Sequence, residues 1–284
     1  MAWAIEIGSG GTSDKTSGNT YSISATNPAG SNTRNNVVFL ALALDNLATT
    51  DVTTSPCLSF SESGQTWTRA GSFTNGQGAA AAGATVELRW SERGTATAGS
   101  LTIGSIAITF SGTVVAKGVA FFVASVPVGS TVALYGGGSP ITRADDGADA
   151  GSIQYVIPDS NEYLFARAIS AERAGTSWTP TSGFAATGGS TVTGTSGGSA
   201  VTNIQALIEG TIAIGNTGPI SDPTTSAVDQ ASIMAAFTEV VPVTSRVNDK
   251  IIGAQQAVNR AAYFCMGNKW ARRGRLWVPE HAAL

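Results

Sequence analysis

Charge is scarce in this sequence: Asp, Glu, Lys and Arg together make up 12% of its 284 residues, about half the usual share. Histidine is nearly absent too, with His281 the only one. A Ser-His-Asp or Cys-His site would have to use it, and a terminal arm is a poor support for catalytic geometry. No complete catalytic apparatus is legible, and the expectation is a protein that is not an enzyme. The two cysteines, Cys57 and Cys265, are far apart and form neither a CxxC motif nor a disulfide framework. With His281 they lack zinc-ligand spacing, so two reduced thiols are expected. Long apolar runs are also missing. No window approaches the roughly 18 uninterrupted apolar residues of a membrane span, which argues against membrane insertion. The start, Met1-Ala-Trp-Ala-Ile-Glu-Ile-Gly, has no basic segment followed by an apolar core. A soluble protein made in the cytoplasm is the expectation.

Small polar residues fill the space that charge leaves. Gly, Ser, Thr and Ala suit turns and solvent-facing strand positions, while β-prone apolar runs recur along the chain. The clearest strand signals are at 37–44 (VVFLALAL), 66–70, 85–90 (TVELRW), 103–110, 118–125 (GVAFFVAS), 131–135, 153–157, 162–169, 204–214 and 232–241. In 85–90, Val86, Leu88 and Trp90 face one way and Glu87 and Arg89 the other. The run 37–44 is continuously apolar, as a central strand covered on both faces would be. About ten short strands with no helix between them predict an all-β fold, an antiparallel β-sandwich of jelly-roll or immunoglobulin-like type. A surface with few long charged side chains is also cheap to pack against a neighbour, which favours a subunit of an assembly.

Two segments are low in complexity. Residues 173–203 read as a long surface loop or loose hairpin, and 76–83 (GQGAAAAG) as a small packed connection. Near Ser245 the character changes. Val247, Ile251, Ala254, Val258, Ala261 or Ala262, and Cys265 fall at helical spacing, capped by Ser245 or Asn248 and closed by Gly267-Asn268. Residues 269–284 then read as an extended arm. The division is a sandwich domain at 1–244 and a basic helical tail and arm at 245–284. Seven of the 16 basic residues and only two of the 19 acids lie in the tail. The tail is therefore +5, and the body, with nine bases against 17 acids, is −8. Opposite charges of this size invite docking of the tail onto the same chain or a neighbouring copy.

Three groups of residues are candidates for chemistry. Asp145, Asp146 and Asp149 surround a glycine and offer oxygen ligands for a structural calcium, although an Asp-Gly turn between strands explains them with no cofactor at all. Among carboxylates that a glycan hydrolase would need, Glu162, Glu172, Glu209 and Asp222 are scattered. Glu209 sits mid-strand, where an outward position is the simpler account. Trp67, Trp90 and Trp178 are possible sugar platforms; Trp90 reads as core, and Trp178, in a loop-like Thr176–Pro180 stretch, is the best surface candidate for glycan binding. In the tail, Arg260, Lys269, Trp270, Arg272, Arg273, Arg275 and Trp277 combine the residue types that anchor protein interfaces. The net charge of −3 and the shortness of the basic stretch argue against nucleic acid.

The order of segments resembles a β-sandwich pattern in tailed-bacteriophage virion proteins. It is carried by VVFLALALDN, then 60–71 (FSESGQTWTRAG), GQGAAAAGATVELRW, ADDGADAGS, 162–168 (EYLFARA) and the strand at 232–241, and spans roughly residues 35–241. The resemblance implies a component of the virion, made in the host cytoplasm: a tail-tip, fibre, spike or capsid-decorating subunit. Its partners would be other virion proteins, copies of itself and a host-surface glycan. A bacterial carbohydrate-binding or adhesin module is the competing reading, and a glycan hydrolase the third.

Overall fold

The computed structural model describes residues 3–14, 16–45, 50–76, 84–135, 141–147, 154–157, 159–172, 191–195, 204–215, 228–242, 270–273 and 276–279. Among them every regular element is a β-strand, and every strand pairing is antiparallel. The chain divides into two compact units, residues 1–240 and 241–284.

The first unit begins with β1 (Ala4–Asp14), β2 (Gly18–Ile23), β3 (Arg34–Asp45), β4 (Cys57–Glu62), β5 (Thr68–Asn75), β6 (Ala84–Gly94), β7 (Ile106–Val114) and β8 (Lys117–Pro127). After these come β9 (Thr131–Leu134), β10 (Ile141–Gly147), β11 (Glu162–Glu172), β12 (Thr191–Thr195), β13 (Ile204–Ile214) and β14 (Val228–Val240). They form a five-stranded sheet ordered β1-β8-β3-β6-β5, a three-stranded sheet β2-β7-β4, and a sheet β10-β14-β11-β13-β12 in which β9 also pairs with β14.

The five-stranded sheet is covered on both faces, and β3 shows why its sequence is continuously apolar. Val37, Phe39, Ala41 and Ala43 enter one core with Leu164, Ala166, Ile208, Ile233 and Phe237 of the β11–β13–β14 sheet. Val38, Leu40, Leu42 and Leu44 enter a second core with Tyr21, Ile23, Ile106, Ile108 and Phe110 of the three-stranded sheet. Successive side chains of a strand point to opposite faces, so with an apolar layer on each side both faces of residues 37–44 take apolar side chains. Each large apolar side chain buried this way contributes about 1.5–3 kcal/mol. Phe39 anchors the first core, stacked on Phe122 at 5.1 Å and edge-on to Phe237 at 4.8 Å. Close approach there requires Gly210, whose missing Cβ would stand 2.6 Å from Phe122 Cζ.

Several expectations change. The alternation in β6 holds, with Val86, Leu88 and Trp90 in the first core, but the opposite face is not solvated: Glu87 is fully buried because the three-stranded sheet lies over it. Of the expected strand at 153–157, residues 154–157 are described and hold a single bridge residue, Val156. Within 173–203, Thr191–Thr195 is β12, paired to β13; the other positions of that stretch, and residues 77–83, lie outside the described residues. The Asp-Gly turn is a ladder instead, with Asp145, Asp146 and Gly147 pairing with Gln230, Asp229 and Val228. The helix expected over 247–265 lies outside the described residues. The arm contains β15 (Trp270–Arg273) and β16 (Leu276–Pro279), which pair with each other.

Candidate interaction site

The β15–β16 pair sorts the basic, aromatic tail into two faces. Its register sets Trp270 opposite Pro279, Ala271 opposite Val278, Arg272 opposite Trp277 and Arg273 opposite Leu276. Two residues, Gly274 and Arg275, separate the strands, the commonest hairpin spacing. Directly opposed residues share a face, and so do residues two apart. Trp270, Arg272, Trp277 and Pro279 therefore occupy one face of the hairpin, and Arg273 the other with Ala271, Leu276 and Val278. Arg260, Lys269 and Arg275 lie outside the described residues. Trp and Arg are residue types enriched at the energetic centres of protein interfaces.

Asp145 and Asp146 hold consecutive positions of β10, which alternate between faces, whereas calcium needs six or more oxygens around one point. Asp149 lies outside the described residues, among which no group of three or more His, Cys, Asp or Glu gathers. Trp178 also lies outside them. Trp67 is not a surface platform: it is buried, its Nε1–H donates to Glu62 Oε2 at 2.8 Å, and Arg93 lies over its ring at 4.9 Å. Trp90 is core, edge-on to Phe237 at 5.1 Å.

Glu209 does not point outward. It is fully buried, opposite Arg167 in the β11–β13 ladder, and accepts from Arg167 Nη1 at 3.4 Å. Glu162 accepts from the Trp3 backbone N–H at 3.0 Å. Five positions along β11 separate Glu162 from the residue opposite Glu209, about 17 Å at the rise of an antiparallel strand. The roughly 5–10 Å carboxyl spacing of glycoside hydrolysis is not met by this pair. Asp222 and His281 lie outside the described residues. Cys57 is a free, half-buried thiol, and burial pushes its titration well above the ordinary range, with the nearby Glu87 carboxylate adding to the effect.

Sequence reading missed Glu62, a buried carboxylate that accepts four hydrogen bonds. Glu62 receives Arg93 Nη1 at 2.8 Å and the Gly104 N–H at 2.6 Å on Oε1, and Arg93 Nη2 at 2.6 Å and Trp67 Nε1 at 2.8 Å on Oε2. These partners come from three separate places in the chain, so no local spacing announces them. They join the end of β4 to β6 and to the 99–105 connection. The arrangement is structural: every strong acceptor direction is taken, and Glu62 has no lone pair left to serve as a base.

No protein-family model, curated protein or solved structure matches this chain.

Proposed function

We propose that this protein is a non-enzymatic structural component of a bacteriophage particle, displayed on the virion, with its C-terminal unit as the attachment element. In this reading the layered body is an elaborated antiparallel sandwich of jelly-roll or immunoglobulin-like type, and a helix over 247–265 leads into the hairpin. The observation that carries the proposal is the hairpin register. It places Trp270, Arg272 and Trp277 on one face, in a unit of charge +5 that belongs to a chain whose remainder is −8. Residue types that anchor interfaces are thus brought together in a separate compact unit. The low overall charge supports the same reading, since little desolvation opposes packing of copies side by side. A host-surface glycan, met through the segment around Trp178, is the external partner in this proposal.

The test is removal of residues 241–284 followed by assembly of particles in the presence of the truncated chain. The body is expected to fold and to be left out of the particles. Normal incorporation of the truncated chain would refute the attachment role.

A further inference from the structure

One end of the layered body gathers exposed apolar residues. β13 finishes there at Ile214, 65% exposed, and β14 finishes at Val240, 43% exposed. The two strands flank β11 and so lie about 10 Å apart. Val156, 58% exposed, stands beside them, because the neighbouring Ile157 N–H donates to the Gly215 carbonyl at 2.5 Å. Val128, 63% exposed, lies in the turn before β9, whose Thr131 pairs with Val240. Isolated exposed apolar residues are ordinary; here four of them share one rim.

The same rim is acidic. Asp159 accepts from the Tyr163 hydroxyl at 2.5 Å, Glu162 from the Trp3 N–H at 3.0 Å, and Glu239 from Ser130 Oγ at 2.5 Å. All three donors are neutral, so these bonds orient the carboxylates without cancelling their charge. Arg34, held to Ser125 Oγ at 3.0 Å, is a base at this end, and the balance of the four is negative.

We propose that this apolar, acidic rim receives the Trp270–Arg272–Trp277 face of the hairpin from a neighbouring copy of the chain, an inference that rests on the attachment reading above. The indoles would cover the exposed valines and isoleucine, and Arg272 would meet the carboxylates. Both kinds of complementarity, apolar and electrostatic, match one surface to the other, and neither surface matches itself because like charges would oppose. The contact is therefore head-to-tail, and repetition of it builds a ring or an open array.

The experiment uses four full-length samples in light scattering at equal concentration. The unaltered chain is expected above the single-chain mass. The rim variant Val156→Arg/Ile214→Arg, altered only at side chains more than half exposed, and the hairpin variant Arg272→Glu/Trp277→Ser should each fall to the single-chain mass. Mixing the two variants should restore a two-chain species, since one contributes an intact hairpin and the other an intact rim. If the hairpin variant dissociates while the rim variant stays assembled, the rim proposal is overturned and the attachment reading survives. Failure of the mixture to re-associate would also overturn it. A monomeric unaltered chain would remove both.

Discussion

Glu62 and Arg93 form a two-pronged ion pair, with both guanidinium Nη atoms on the two carboxylate oxygens at 2.8 and 2.6 Å. Both side chains are almost entirely buried, at 3% and 1% exposure. The pair closes one end of the core beneath the three-stranded sheet, and Trp67 and the Gly104 amide complete the shell of Glu62. Removing the carboxylate would strand a buried guanidinium. Glu62→Ala is expected to cost about 3–5 kcal/mol, measured as a lower urea midpoint with the slope unchanged.

The same group sets an acid limit on stability. Burial raises the cost of its charged form, but Arg93, Trp67 and the Gly104 N–H together outweigh burial, and Glu62 titrates below the usual value. A depressed folded pKa contributes stability that is complete above the unfolded value, about 4.3 for Glu, and is lost as pH falls through the folded one. Asp14, held by the Thr16 N–H, shifts in the same direction. Stability should be flat with respect to these groups from pH 7 to about 5.5 and decline on further acidification. Glu62→Gln should make the decline shallower.

The Arg167–Glu209 pair offers a contrast. Both side chains are buried, at 1% and 0% exposure, on adjacent central strands. Glu209→Ala is expected to destabilise by about 3–5 kcal/mol, and the paired change Arg167→Met/Glu209→Leu to recover most of that loss. Denaturant unfolding of the two variants decides it. Equal losses for the single and paired changes would mean that the charges are needed and not merely matched.

Gly210→Ala should cost about 1–3 kcal/mol by overpacking, since the new methyl would meet Phe122 at 2.6 Å. Phe122→Leu in the same chain should relieve part of it. A neutral Gly210→Ala would show that the two facing sheets can separate freely.

Cys57 should react slowly with thiol reagents at pH 8, because the reactive thiolate is suppressed by burial and by Glu87. Labelling in a Cys265→Ser background, compared with the unfolded chain in urea, measures this directly. Labelling as fast as in urea would contradict the buried setting.

What the amino-acid sequence determined by itself was local. The apolar run of β3 and the alternation of β6 follow from side-chain period alone, so the strand assignments at 37–44 and 85–90 and the all-β class were legible. The charge division of the chain was legible for the same reason, as a property of composition. Only the tertiary structure decided where polar residues go. Glu87 and Glu209 occupy strand positions that a solvated face would also permit, and they are buried because other sheets or ion-pair partners from distant segments lie against them. Likewise, the aromatic and basic residues of the tail were visible as a list, but strand register, which couples residues across a turn, is what places Trp270, Arg272 and Trp277 on one face.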